Sequence, residues 1–319
     1  MSRRPLSFFG LQDSADLAEG VAARLEIPLA QHEERNFEDG EHKTRSLQSV
    51  RGHDVFVLHS LYGDATESGN DKLCRLLFFC GALKDAGAAR VTAVTPYLCY
   101  ARKDRRTKDN DPIITRYVAA MFEAVRIDRL IALEVHNVAA FENAFRCQTW
   151  HIDSVPLLAA HFAPLLRGKQ VVAVSPDAGG AKRAEQFRQA LEQLTRGDVG
   201  SAYMEKFRSG GMISGALLTG DVRGRVAVII DDLISTGGTV VRAAQACRTA
   251  GATQVFAAAA HGLFIDGAPE LFATPAIDGI TVANTVPAFR VSAAAAQRLT
   301  TLDVSEAVAR AIAVCHDGR

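Results

Sequence analysis

The run Val-Ala-Val-Ile-Ile-Asp-Asp-Leu-Ile-Ser-Thr-Gly-Gly-Thr, from Val226 to Thr239, has the residue types needed to hold a phosphorylated sugar. An apolar, mostly β-branched stretch leads into Asp231 and Asp232. A turn of Ser235, Thr236, Gly237 and Gly238 follows, and then a helix that starts near Thr239. Successive backbone N–H groups in such a turn, aimed by a helix N-terminus, form a pocket for a phosphate dianion. Gly237 and Gly238 allow close backbone approach, while the hydroxyls of Ser235, Thr236 and Thr239 can donate to oxygen. The two carboxylates repel phosphate but accept hydrogen bonds from vicinal sugar hydroxyls, so the pattern points to a ribose 5-phosphate moiety. The plainer reading is an acidic strand end before a capped turn; two consecutive Asp after an apolar strand favour the ligand. There is no Lys in the position that a Walker A loop requires, which excludes that class.

Elements that alternate along the chain must position this loop. Strand-like apolar runs occur at Val55–Leu58, Val91–Thr95, Leu130–Leu133, Val171–Val174, Val226–Ile230 and Val255–Ala260. Helical patterns lie between them at Asp71–Ala86, Ile113–Val125, Lys182–Leu194 and Thr239–Ala250. The alternation predicts an α/β fold with largely parallel sheets flanked by helices.

The stretch after Gly52 is echoed by the stretch after Gly224. Strand, polar loop and helix follow in each, then a glycine cap (Gly87 or Gly251) and the next strand. This correspondence predicts a duplication in which only the second copy keeps a phosphate loop, because His59 to Glu67 replaces it in the first. The expected organisation is an N-terminal domain over 1–152, a C-terminal domain over 153–303, and a C-terminal helix within 304–319 packing back on the first.

Lys+Arg and Asp+Glu balance at 36 each in 319 residues, so there is no global basic field to recruit nucleic acid or acidic membrane. No apolar run approaches the roughly 18–20 residues of a membrane span, and Leu6 to Leu11 is too brief for a signal-peptide core. The expected location is the cytoplasm. Cys74, Cys80, Cys99, Cys147, Cys247 and Cys315 form neither a C-x-x-C pair nor a zinc-like spacing, and most sit among apolar neighbours.

The Asp231–Thr239 segment resembles the phosphoribosyl-binding loop shared by type I phosphoribosyltransferases and ribose-phosphate pyrophosphokinases. Further segments resemble the second family, in its order and over nearly the whole chain. Phe37-Glu-Asp-Gly-Glu41 is similar to its F-x-D-G-E nucleotide segment, which implies base stacking by Phe37 and hydrogen bonding by Asp39 and Glu41. Tyr97 to Arg105 resembles P-Y-x-x-Y-A-R-Q-D-R, implying ATP-phosphate contacts from Arg102 and Arg105, with Lys103 where Gln is usual. His136, in Leu-Glu-Val-His, matches the histidine of T-M-D-L-H that approaches the metal–ATP complex, and Glu134 replaces the usual Asp.

Val174 to Arg183 resembles V-S-P-D-x-G-G-x-x-R-A and offers Asp177, at a strand's carboxyl end, as a hard-oxygen ligand for Mg²⁺. Met204 to Gly211 resembles the catalytic-loop segment D-K-R-R-x-x-G, so Lys206 and Arg208 are the implied catalytic cations, with Glu205 and Phe207 as departures.

The resemblance implies two tandem phosphoribosyltransferase-like domains. It also implies pyrophosphoryl transfer from MgATP to the C1 hydroxyl of ribose 5-phosphate, and a homo-oligomer, either dimer or hexamer. The alternatives are a type I phosphoribosyltransferase, which would need a base-specificity hood, and a non-catalytic regulatory subunit, which would be expected to carry eroded loops.

Overall fold

The computed structural model describes residues 4–209 and 212–318, with side chains throughout except at 206–209 and 212–216. The chain divides into two compact units, residues 1–152 with 304–319, and residues 153–303. In the first unit the elements run β1 (Leu6–Gly10), α1 (Ala15–Leu25), β2 (His32–Asn36), β3 (His42–Ser46), β4 (Asp54–Leu58), α2 (Gly69–Asp85), β5 (Arg90–Thr95), α3 (Ile114–Ala124), β6 (Arg129–Leu133), α4 (Val138–Ala144) and β7 (Gln148–Ile152). Strands β1-β4-β5-β6-β7 form one parallel sheet, and β2 pairs antiparallel with β3. Every residue of β4 is buried, as expected of a parallel strand covered on both faces. Phe9, Val55 and Val57 pack with Leu76, Phe79 and Phe122 of α2 and α3.

The second unit runs α5 (Val155–Leu166), β8 (Val171–Ser175), α6 (Ala181–Thr195), β9 (Val199–Ser209), β10 (Met212–Thr219), β11 (Val226–Ile234), α7 (Gly238–Thr249), β12 (Gln254–Gly262), α8 (Pro269–Ala273), β13 (Gly279–Ala283), α9 (Ala293–Ala296) and β14 (Leu299–Leu302). Its sheet has the order β10-β9-β8-β11-β12-β13-β14, parallel except where β10 folds back on β9. Phe162, Phe187 and Leu191 cover one face; Val240, Ala243 and Leu271 cover the other. The strands and helices expected from the sequence are present. One boundary is corrected: β11 continues through Asp231, Asp232, Leu233 and Ile234, which confines the turn to Ser235–Gly237. No described helix is long and apolar enough to cross a membrane.

The two units share an internal plan. The order β1-β4-β5-β6-β7 matches β8-β11-β12-β13-β14, with a hairpin at the same point of each chain segment. Gly52 donates to the Gly87 carbonyl at 2.9 Å, and Gly224 donates to the Gly251 carbonyl at 2.9 Å. The Asp128 carboxylate accepts from the Val91 N–H at 2.7 Å, as the Asp278 carboxylate does from Val255 at 2.6 Å.

Helix α10 (Ser305–Asp317) belongs to the first unit and packs on α1. Its last turn is tied by fully buried Asp54, which accepts from His316 Nδ1 at 2.7 Å and Arg90 Nε at 3.0 Å. Arg24 Nε donates to Ser305 Oγ at 2.7 Å at the other end of the helix. His316→Ala is expected to reduce unfolding free energy by about 1.5–3 kcal/mol, the size of one hydrogen bond to a charged partner. A lower urea midpoint with an unchanged slope would register this; a midpoint equal to the parent's would refute it.

Candidate active site

In the second unit, the buried run Val226–Ile230 is held between β8 and β12, so β11 delivers its last residues to the carboxyl edge of the sheet. Ligands in open α/β sheets bind at that edge. At Gly237 the chain turns with φ +85°, and a Cβ there would lie 2.7 Å from Leu271 Cβ. Only glycine meets both conditions. Helix α7 then begins without any side-chain cap, so its first N–H groups are presented by the turn itself.

A strained segment buttresses the turn from behind. Leu263 and Phe264 donate to the Ile234 carbonyl at 2.9 and 3.3 Å, and Ile265 donates to the Ser235 carbonyl at 3.1 Å. Phe264, Asp266 and Ala268 in that segment all have left-handed φ, +44°, +54° and +43°. Such strain persists only where surrounding structure over-determines it, and it clusters at binding sites.

The two carboxylates differ. Asp232 is buried, and its Oδ1 lies 3.7 Å from Arg183 NH1. Asp231 Oδ1 accepts from the Asp232 N–H at 2.9 Å. Burial, first, and then the adjacent Asp232 push Asp231 well above the ordinary carboxylate range, with Arg183 opposing. Arg183 is therefore a partner of the acidic pair. Asp177 stands at the end of β8, which pairs with β11. Its Oδ1 accepts from Gly179 and Gly180 N–H at 3.0 and 3.1 Å, so the residue also caps the following turn.

In the first unit, Phe37, Asp39 and Glu41 occupy the turn between β2 and β3, where they line an open recess of about 490 Å³ with Arg35, Asn36 and Glu38. Glu41 N–H donates to Asp39 Oδ1 at 3.1 Å, and the Arg35 guanidinium lies 4.9 Å from the centre of the Phe37 ring. Phe37 is 39% exposed, so its ring is accessible to a partner. Arg75 of α2 anchors the hairpin through Asn36 Oδ1 at 2.9 Å and Glu34 Oε2 at 3.3 Å. Arg102, Lys103 and Arg105 lie exposed on the loop after β5. Asn137 Nδ2 donates to Asp104 Oδ2 at 2.8 Å and so joins this loop to the segment carrying exposed His136. Buried Glu134 enters that segment with φ +44°, a conformation unusual for a long side chain. Lys206 and Arg208 are on β9, facing Ala216 and Ile213 of β10 in register, and their side chains lie outside the described residues.

The first copy of the repeat is closed where the second is open. Ser68 accepts from the N–H groups of Asn70 and Asp71 while Asp71 accepts from Ser68, a reciprocal box that seals the start of α2. Just before it, Asp64 Oδ1 accepts from Thr66 and Glu67 N–H at 2.8 and 2.9 Å. Burial disfavours the charge of Asp64, yet donors from Lys72, Glu67 and Thr66 outweigh it and hold the group below the ordinary carboxylate range. Lys72, fully buried, also reaches Asp13 at 3.1 Å and sits 3.7 Å from the Tyr62 ring centre. His59 is held neutral by burial, which lowers its pKa to about 3. The sequence marked this loop as different, but the buried ion pairs inside it were not legible, because Asp13 comes from a distant part of the chain and Asp64 meets Lys72 only once α2 has formed.

Residues 6–125 match the family described as the N-terminal domain of ribose phosphate pyrophosphokinase, and residues 214–319 match the phosphoribosyl synthetase-associated domain. Ribose-phosphate pyrophosphokinase 1 of Streptococcus pyogenes serotype M3 is 33% identical over 322 aligned residues, taking in 100% of this chain and 97% of that protein. The protein of the same description from Streptococcus agalactiae serotype III is 34% identical over 325, covering 100% and 96%. Among solved structures, the phosphoribosylpyrophosphate synthetase of Mycobacterium smegmatis superposes with a TM-score of 0.89 at 30% identity, covering 99% of this chain and 100% of that one.

Proposed function

The chain belongs to the ribose-phosphate pyrophosphokinase family, and from that premise we propose how its residues divide the transfer of a pyrophosphoryl group from MgATP to ribose 5-phosphate. The enzyme is a ribose-phosphate diphosphokinase, whose products are phosphoribosyl pyrophosphate and AMP. The observation that carries the division of labour is the contrast between the two helix starts. That of α7 is uncapped and fixed by Gly237, whereas that of α2 is filled by its own side chains.

The 5-phosphate lies against Ser235–Thr239 and takes the N–H groups at the start of α7. Asp231 and Asp232 accept from the sugar's vicinal hydroxyls, and this orients the C1 hydroxyl. Phe37 stacks on the adenine, with Asp39 and Glu41 as acceptors; Arg102, Lys103 and Arg105 hold the ATP phosphates as forked or point donors. Lys206 and Arg208 neutralise the transferring and leaving groups.

Among the described residues no group of three or more His, Cys, Asp or Glu is arranged to hold a metal alone. That suits Mg²⁺, which keeps waters and is shared between one or two carboxylates and substrate phosphates. Asp177 supplies such a carboxylate next to the acidic pair, and His136 stands beside the ATP loop. When bound, the ion would withdraw charge from the phosphates. The protein's part is positioning, with no covalent nucleophile. Cytoplasmic work as a homo-oligomer, dimer or hexamer, completes the proposal.

Incubating the purified protein with MgATP and ribose 5-phosphate, with no base present, should release AMP in step with the pyrophosphorylated sugar. Pyrophosphate release that depends on an added base would instead mark a phosphoribosyltransferase. Turnover seen only with a partner synthase would mark a regulatory subunit.

A further inference from the structure

The segment Asp231–Thr239 contains two carboxylates and no Lys or Arg. A phosphate dianion brought to it meets the field of the acidic pair, and the guanidinium of Arg183, on α6, faces Asp232. A different cation stands on the helix itself. Arg242 lies one turn beyond Gly238 on α7, and helical side chains lean toward the N-terminus, over the preceding turn. Its guanidinium does so here. NH2 donates to Thr239 Oγ1 at 3.3 Å, and NH1 lies 3.5 Å from the point that a Cβ on Gly238 would occupy.

Three features make this placement informative. Arg242 is exposed, and among the described residues it has no carboxylate within ion-pair distance. It sits at the positive end of the helix dipole, where a cation is disfavoured unless an anion joins it. No side chain caps that end, so a negative group arriving there would meet free N–H groups and the guanidinium together. Gly238 adds no side chain to the space between them.

We propose that Arg242 binds the 5-phosphate of ribose 5-phosphate and sets the enzyme's preference for a phosphorylated sugar. This rests on the reading of Ser235–Thr239 as the sugar-phosphate loop. Arg242 supplies the cation that the loop itself lacks and offsets the charge of the two carboxylates as the dianion enters.

Steady-state kinetics of the full-length enzyme with Arg242→Gln and Arg242→Lys test the assignment. Losing one charge-assisted contact should raise KM for ribose 5-phosphate about 10–30-fold, leaving kcat and the KM for MgATP within about twofold. Arg242→Lys should recover most of the loss, and inorganic phosphate, as a competitor of ribose 5-phosphate, should weaken in parallel for Arg242→Gln. An unchanged ribose 5-phosphate KM in Arg242→Gln, or a loss shared equally with MgATP, would overturn it. Amide exchange on the parent enzyme separates this failure from that of the underlying reading. If ribose 5-phosphate gives no protection at 235–239, the loop reading falls. If it protects there while Arg242→Gln keeps its KM, only the Arg242 assignment falls.

Discussion

Gly237→Ala is expected to lower kcat/KM for ribose 5-phosphate by about 100-fold or more, because the loop cannot keep its path with a Cβ in place. Two independent conditions act at this position. The backbone is left-handed, at φ +85°, which costs a non-glycine residue about 1–2 kcal/mol. The added Cβ would also stand 2.7 Å from Leu271 Cβ, and over-packing of that kind costs about 1–3 kcal/mol. Relief requires moving the turn away from α8, and a shift of about 1 Å in a positioned phosphate is enough for a hundredfold loss. Stability should fall by about 2–5 kcal/mol, the sum of the two. Combining Gly237→Ala with Leu271→Gly, which removes the Cβ that alanine would retain, separates them. The double variant should lose less stability than the sum of the singles, since the overlap is gone while the φ penalty stays. Denaturant melts and ribose 5-phosphate kinetics give both readouts; parental stability and KM in Gly237→Ala would refute the account.

The loop was legible in the sequence because everything it needs is contiguous: a β-branched strand, two acids, hydroxyls, then glycines. The repeat was legible for a similar reason, since Gly87 and Gly251 punctuate helix and strand in the same way. Hairpin β2–β3 was not foreseen as strands, because His-Glu-Glu-Arg-Asn from His32 to Asn36 has no apolar alternation. It exists through its own ladder and the anchor from Arg75, a residue on another element. Helix α5 was missed for the opposite reason: Val155–Leu166 is apolar nearly all round and carries Pro156 and Pro164, so no face stands out.

The pairings within the site were hidden too. Arg183 meets Asp232 only because β8 lies beside β11, and Arg242 reaches Thr239 only once α7 has formed. Left-handed Phe264, Asp266 and Ala268 have no signature in residue type, since only packing fixes those angles.

Asp231→Asn should show the opposite combination to Gly237→Ala, with activity lost and stability gained. The carboxylate is retained in a place that opposes its charge: burial comes first, then the neighbouring Asp232, and the pKa rises. Because the folded form holds this proton more tightly than the unfolded chain, the contribution to stability is present at low pH. It is lost as pH rises from about 4, the ordinary value, through the raised one. Asn cannot titrate. Without substrate or Mg²⁺, Asp231→Asn should therefore match the parent near pH 4 and exceed it by about 1–2 kcal/mol at pH 8, as when strain at a functional site is relieved. Its kcat/KM for ribose 5-phosphate should fall about 10–100-fold, as charge-assisted acceptance from sugar hydroxyls is replaced by neutral contacts. Asp232→Asn is the control: it removes one cause of the raised pKa but leaves burial, the larger one, and it loses the pairing with Arg183, so its gain at pH 8 should be smaller than that of Asp231→Asn. Misfolding cannot make a protein both more stable and less active, so the paired measurement isolates the carboxylate's work on the substrate. An Asp231→Asn protein that is less stable than its parent at pH 8, or that keeps its KM, would assign the acid to the fold instead.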